Sequence, residues 1–262
     1  MKERARLPAA LAVFVAWVLI TGFAGALFSK GETASLDQVL STGVAPQIAL
    51  ACVFLAIAAP FFPRREMGLV ASVSRRSLLL TLPVGVYLAL FFGLAVLLGL
   101  PPLGAIGFAL INVTLVGISE EIACRGILYL GLRSRLRVWP AVWLTSLIFG
   151  AMHVLNGFVT GQFVIAAIQA LAAICTGMML MAIRIRTGSL YPAIVLHILW
   201  NAGALLAVMA ATQQSGGQAV TPEMGLILLL PVVGVLPNLL YGLWLLRHAS
   251  RDEARPPEPA GI

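Results

Sequence analysis

Long apolar runs separated by short polar intervals make up most of this chain. Eight of them approach or exceed the roughly 20 helical residues that cross a hydrocarbon layer. In chain order the runs are Leu7–Phe28, Ala45–Phe62, Ser77–Leu100, Leu103–Ile118, Val138–Leu155, Phe163–Ile183, Leu190–Ala211 and Met224–Leu246. Lipid admits only helices or closed barrels, and these runs lack the alternation of barrel strands. The pattern therefore predicts an all-α fold, a polytopic helical membrane bundle of about eight transmembrane helices.

Composition and charge favour the same class. Of 262 residues, 60% are hydrophobic and 10% are charged, which is too little polar surface for a water-soluble globule. With the amino terminus inside, fifteen of the seventeen Lys and Arg residues fall in cytoplasmic segments, as the positive-inside rule requires. They are Lys2, Arg4, Arg6, Arg64, Arg65, Arg75, Arg76, Arg133, Arg135, Arg137, Arg184, Arg186, Arg247, Arg251 and Arg255. We therefore expect a multi-pass protein with both termini cytoplasmic, in the plasma membrane of a bacterium. The net charge of +7 indicates attraction to membrane lipid, not nucleic-acid binding.

Two adjacent carboxylates, Glu120 and Glu121, interrupt the apolar sequence. A carboxylate at membrane depth costs roughly 2.5 kcal/mol or more, so it is rarely present without a partner or a function. Arg125 follows Glu121 by four positions, the helical spacing of an ion pair in the favoured acid-before-base order. That pair is interpreted either as a structural link or as support for catalysis. Glu120 points elsewhere on a helix and lacks such a cation, which favours a role as a proton acceptor.

Two further polar pairs share the spacing of four residues. Phe149 precedes His153, and His197 precedes Asn201. A general base, two imidazoles and a carboxamide around water could hydrolyse an amide. In this interpretation Glu120 and His153 activate the water, and His197 and Asn201 donate hydrogen bonds to the oxyanion. Phe149 is interpreted as packing, a wall of the cavity.

These motifs in this order resemble the CPBP family, which comprises CAAX prenyl endoproteases and bacteriocin-processing or immunity proteins and is also called the Abi family. The resemblance covers about Gly104 to Gly203 and includes Thr187 to Pro192 just before the last motif. It implies intramembrane endoproteolysis, with Glu120, His153, His197 and Asn201 as catalytic residues and with Glu121 and Arg125 as orienting partners. It also implies a peptide or membrane-protein substrate, either prenylated or a leader peptide. Many members of this family carry a metallopeptidase label.

The resemblance suggests a division of the chain. Residues 1–100 form the amino-terminal transmembrane helices, and residues 101–210 the CAAX-protease-like catalytic core. Residues 211–247 hold the last transmembrane helix. Residues 248–262 are a charged, Pro-rich tail that we expect to be disordered.

Several alternatives stay open at this point. Zinc is one, because Glu120, His153 and His197 could supply three ligands, although a metal-free site without a cofactor is preferred. A nucleophilic Cys124 is a second. A proton-coupled membrane transporter and a non-catalytic membrane adaptor or immunity protein are the rivals from other classes. Oligomeric state is not readable from the sequence.

The depth of the two intramembrane histidines tests the catalytic interpretation. At 1.5 Å per residue, His197 should lie about 12 Å from the inner end of its span and His153 about 22 Å from the inner end of its own. Convergence therefore requires that the fifth span begins later, near Pro140, or that tilt and a long Glu-bearing helix continuing from the fourth span bring the groups level. We expect Glu120, His153, His197 and Asn201 to meet in one hydrated pocket.

Overall fold

A computed structural model describes residues 3–28, 34–70, 73–215 and 229–250, and these residues contain helices and no strand. The longer α-helices are α1 (Arg6–Phe28), α3 (Pro46–Ala58), α5 (Leu82–Leu98), α6 (Leu103–Glu120), α8 (Val138–Met152), α10 (Phe163–Thr187), α11 (Tyr191–Gln214) and α12 (Leu230–Leu246). The short ones are α2 (Leu36–Ser41), α4 (Arg75–Leu78), α7 (Tyr129–Arg133) and α9 (Asn156–Thr160). Short 3₁₀ turns cover Glu3–Ala5, Ala59–Phe61, Leu79–Thr81 and His153–Leu155.

Within the described residues, six helical stretches are long and apolar enough to cross a membrane, and two shorter apolar ones accompany them. The long stretches are Glu3–Gly22, Arg75–Leu98, Leu103–Arg133, Val138–Thr160, Phe163–Thr187 and Tyr191–Gln214, and the short ones are Pro46–Phe61 and Leu230–Leu246. The predicted polytopic helical bundle is confirmed. The beginning of the eighth predicted run at Met224, and residues 251–262 of the tail expected to be disordered, lie outside the described residues.

The fourth span is longer than its apolar run suggests. Helix α6 continues without a break into a π-helix, Glu121–Leu128, and then into α7, so one helical rod extends from Leu103 to Arg133. Helix α8 begins at Val138 and not later, near Pro140. Of the two arrangements that would bring the polar groups level, the structure therefore has the long Glu-bearing helix.

Helices α10 and α11 lie at the centre of the bundle. Helix α10 packs against α8 and α12, and α11 packs against α5 and α6. Glycines permit the close approaches: a Cβ on Gly150 of α8 would lie 2.7 Å from a backbone oxygen of α10, and one on Gly242 of α12 would lie 2.9 Å from another. Small residues at such crossings are typical of membrane helices, because they let backbones approach closely.

Candidate active site

The acidic pair lies where the fourth span changes its helical pitch. Glu120 is the last residue of α6, and Glu121 is the first residue of the π-helix. Gly117, one turn earlier, faces α11 so closely that a Cβ there would lie 2.6 Å from the Ile198 side chain and 3.3 Å from its backbone nitrogen. Since only glycine permits this approach, Gly117 brings the carboxylates beside the helix that carries His197.

Glu121, Arg125 and His197 form a buried chain of charged and polar contacts. Arg125 Nη1 donates to Glu121 Oε1 over 2.9 Å, and the side chains of both residues are 0% exposed. The predicted ion pair is therefore present. His197 Nδ1 lies 2.8 Å from the same oxygen. Because an ionised carboxylate only accepts, Nδ1 of His197 is the donor in this bond.

This bond fixes what the opposite nitrogen of His197 can do. A neutral imidazole has one N–H, and here that proton is on Nδ1. Nε2 therefore carries a lone pair in the neutral ring and a proton in the imidazolium. With Glu120 and Glu121 ionised and Arg125 charged, an imidazolium at His197 makes this group of four electrically neutral.

Glu120 lies on the other side of the same ring. Its Oε2 atom is 3.6 Å from Nε2 of His197, which is beyond direct hydrogen-bond range. Its side chain is 18% exposed, whereas that of Glu121 is fully buried. Within the described residues, Glu120 Oε2 has no hydrogen-bond partner. One carboxylate is thus fixed by two donors, and the other is free to accept a proton.

His153 is held by its own helix. Its Nδ1 atom lies 2.9 Å from the carbonyl oxygen of Phe149, so Nδ1–H is the donor and Nε2 keeps its lone pair in the neutral ring. Glu120, His197 and Arg125 all lie close enough to His153 to interact with it electrostatically. Both neutral rings therefore carry the proton on Nδ1 and a lone pair on Nε2, but Nδ1 of His153 bonds a carbonyl and Nδ1 of His197 bonds a carboxylate, which stabilises a charged ring.

The Phe149 ring separates and orients these groups. It packs edge-on against His153 and His197, with centroid separations of 5.0 and 5.9 Å. The guanidinium of Arg125 lies 3.7 Å over its face. A cation over an aromatic face is attracted by the ring quadrupole, so Phe149 stabilises Arg125 as well as filling space. It also lines the cavity, in agreement with the predicted wall.

A cavity of about 110 Å³ lies between α8, α10, α11 and α12. The residues that line it are Phe149, His153, Gln169, Ala172, Ala173, Thr176, Met179, Leu180, Leu196, His197, Trp200, Asn201 and Val235. Three of the four predicted catalytic residues thus share one cavity, whereas Glu120 is not among its lining residues and lies beside His197. Such a pocket, mostly apolar with a few convergent polar groups, is typical of ligand sites.

Two lining residues with polar or aromatic side chains, Gln169 and Trp200, were not among the residues predicted from the sequence. Gln169 is the only amide side chain in the apolar run Phe163–Ile183, a signal of the same kind that singled out Glu120. Trp200 lies between His197 and Asn201 and packs against Phe91 and Tyr87 of α5, with ring centroids 5.0 and 5.2 Å away. It carried no sequence signal, because an aromatic residue in an apolar helix reads as packing.

The same geometry bears on the two alternative chemistries, a zinc site and a cysteine nucleophile. Among the described residues, no three His, Cys, Asp or Glu side chains are gathered closely enough to hold a metal ion. Zinc held by Glu120, His153 and His197 stays a prediction for metal analysis of active protein to test. Cys124 is fully buried in the π-helix and does not line the cavity, so its thiol has no access to a substrate there.

The segment that carries the candidate site matches a known family. Residues 102–203 match the family model described as type II CAAX prenyl endopeptidase Rce1-like. The matched segment contains every candidate residue from Glu120 to Asn201, and it confirms the resemblance to CAAX-type membrane proteases. No curated protein and no solved structure matches the chain.

Proposed function

We propose that this integral membrane protein is an intramembrane endopeptidase of the CAAX type, which hydrolyses a peptide bond of a prenylated, leader-peptide or other membrane-associated substrate. The observation that supports the proposal is an arrangement from three separate spans: His153, His197 and Asn201 line one cavity, and Glu120 Oε2 lies 3.6 Å from Nε2 of His197. The similarity of residues 102–203 to CAAX prenyl endopeptidases supports the reaction class.

Water activation falls to Glu120 and His153. The carboxylate of Glu120, whose side chain is 18% exposed, accepts a proton from water as the water oxygen attacks the carbonyl carbon. Nε2 of His153, whose other nitrogen is fixed by the Phe149 carbonyl, accepts the second hydrogen bond and orients the same water. The proton taken by Glu120 is later delivered to the nitrogen of the leaving amine as the C–N bond breaks, which yields a carboxylic acid and an amine.

Oxyanion stabilisation falls to His197 and Asn201. Asn201 follows His197 by four positions on α11, so both side chains face the cavity. Nε2 of His197 donates only from the imidazolium, and Glu121 stabilises that charged ring through its bond to Nδ1. Arg125 in turn holds Glu121 ionised. Glu121 and Arg125 are thus positioning residues that act through His197.

Hydrolysis of a defined probe tests this function. Purified protein in liposomes should cleave a fluorescence-quenched, farnesylated peptide ending in a CAAX sequence, or peptides found by comparing membrane peptides of wild-type and variant cells. Glu120→Gln should abolish cleavage. Glu66→Gln is the matched control, because that carboxylate lies in the connecting segment before α4, where it pairs with Arg6 over 2.7 Å. Undiminished cleavage by Glu120→Gln would overturn the proposal. A biological effect that survives in this variant without any cleavage would favour the adaptor.

We further propose the topology that the basic residues predict, with both termini cytoplasmic in a bacterial plasma membrane. Reporter fusions at each terminus, active only on the cytoplasmic side, test this arrangement. An externally active reporter at either end would contradict it.

A further inference from the structure

A pair of amide side chains lies at the edge of the cavity beside His153. Asn156 Nδ2 donates to Gln169 Oε1 over 2.9 Å, and this bond joins α9 to α10. Gln169 also lines the cavity. Asn156 follows His153 by three positions across the 3₁₀ turn, where side chains three apart eclipse one another. The catalytic mechanism proposed above uses neither amide.

The hydrogen bond between the two amides leaves donors unused. A primary amide has two N–H donors and one carbonyl acceptor. Asn156 occupies the acceptor of Gln169, and within the described residues no protein group accepts from Gln169 Nε2. The nitrogen is therefore oriented by the bond on the opposite atom while its two N–H groups remain available. A donor fixed in this way suits a carbonyl acceptor in the cavity.

The position of this donor matches a peptide backbone. Residues Gln169, Ala172, Ala173, Thr176, Met179 and Leu180 form one face of α10 along the cavity. This face is about 16 Å long at 1.5 Å per residue, which equals about five residues of extended chain at 3.3 Å each. Most of it is apolar, and the Thr176 hydroxyl is bonded to its own helix at Ala172. Gln169 is thus the free polar group that α10 offers to a peptide lying along it.

We propose that Gln169, oriented by Asn156, binds the substrate by donating an Nε2–H to one backbone carbonyl within about two residues of the bond that is cut. The limit of about two residues follows from the position of Asn156, which orients Gln169. Asn156 lies three positions from His153, and side chains at that spacing on one helical face are about 5–6 Å apart. A backbone contact fixes the register of the peptide without selecting a side chain. The inference rests on the proposed endopeptidase function and adds the group that positions its substrate.

Variants of Gln169 separate binding from structure. Gln169→Met removes the donors and the acceptor, whereas Gln169→Glu keeps an oxygen for Asn156 but loses the donors. Both should raise KM about tenfold while kcat stays within about twofold, since one hydrogen bond to the bound ground state is lost. Gln214→Met is the matched control: that amide bonds the Leu98 carbonyl in an exposed position, so KM should not change.

A substrate series identifies the acceptor. Farnesylated CAAX probe peptides with one amide at a time replaced by a trans-alkene lack one carbonyl each. At one position near the cleavage site the alkene should raise KM for the wild type and have no further effect in Gln169→Met. Two results would overturn the proposal. One is a KM of Gln169→Glu equal to that of the wild type while the KM of Gln169→Met is raised. The other is a rise in KM caused by the alkene that persists at every position in Gln169→Met.

The endopeptidase function and the positioning role of Gln169 can fail independently of each other. If the wild type does not cleave the probes, the endopeptidase proposal fails, and the same peptides carrying a fluorescent label report binding by anisotropy. A tenfold weaker Kd for Gln169→Met than for Gln214→Met would then support the positioning role, and equal values would refute it.

Discussion

Replacing Gly177 with alanine should impair catalysis by displacing Phe149 and Arg125. Gly177 lies on α10 behind the site, and a Cβ there would lie 2.9 Å from Phe149 Cδ1 and 3.0 Å from Arg125 Nη2. Carbon atoms in good contact are at least about 3.5 Å apart, so the Phe149 ring must move by roughly 0.6 Å. The ring contacts both histidines, and Arg125 holds Glu121, so the displacement reaches His197 by two routes.

The expected magnitudes differ for stability and for activity. Overpacking in a filled core costs about 1–3 kcal/mol, and exchanging glycine for alanine inside a helix returns up to about 1 kcal/mol. The free energy of unfolding should therefore fall by about 3 kcal/mol at most. A misplacement of 1 Å in a catalytic group can cost about 10²-fold, so a shift of roughly half that should lower kcat by about tenfold or more.

Hydrolysis of the farnesylated probe and the midpoint of unfolding in detergent measure the two effects. Gly107→Ala on α6 is the matched control, because no atom lies within 4 Å of the added Cβ. That variant should keep full activity and unfold at the same or a slightly higher temperature. A folded Gly177→Ala protein with wild-type kcat would refute the coupling from Phe149 and Arg125 to the catalytic groups.

Three further predictions follow from the same contacts. Arg125→Met should lower the free energy of unfolding by about 3–5 kcal/mol, because it leaves Glu121 fully buried without its cation; an unchanged unfolding midpoint in SDS would contradict this. Asn201→Ala should reduce kcat by about 10²–10³ with little change in KM, as for loss of one oxyanion donor, and a rise in KM alone would assign Asn201 to substrate binding. Chelator treatment of active protein should leave the rate of probe cleavage unchanged. Loss of activity with recovery on adding Zn²⁺ would instead support the zinc alternative.

Most of the fold can be predicted from the apolar pattern because a hydrocarbon layer admits few backbone structures. Run length alone located the spans to within a few residues, as for α8 and α11. The pattern failed where helices continue through polar residues. Helix α10 extends to Thr187, four residues past its apolar run, because Arg184 is buried against the Glu66 carbonyl and the Tyr129 ring. A tertiary partner of this kind has no signature in the local sequence.

Residue spacing predicted some of the contacts in the candidate site and missed others. Spacing of four residues correctly paired Glu121 with Arg125, and it placed His197 and Asn201 on one face. It could not reveal that His197 also bonds Glu121, because that contact joins residues 76 positions apart. Spacing also treated the two glutamates as diverging, whereas both lie beside the same imidazole.

The π-helix is the feature that connects these observations. Adjacent side chains on a regular α-helix diverge, yet Glu120 and Glu121 flank opposite nitrogens of one ring, and the π-helix begins between them. Short π-helical segments occur frequently at functional sites, where they re-aim side chains at the cost of regular hydrogen bonding. Here the change of pitch directs the fully buried carboxylate to Nδ1 of His197 and leaves the partly exposed one near Nε2. In the mechanism that we propose, the two glutamates therefore divide the work: Glu121 stabilises the charged ring of His197, and Glu120 transfers the proton.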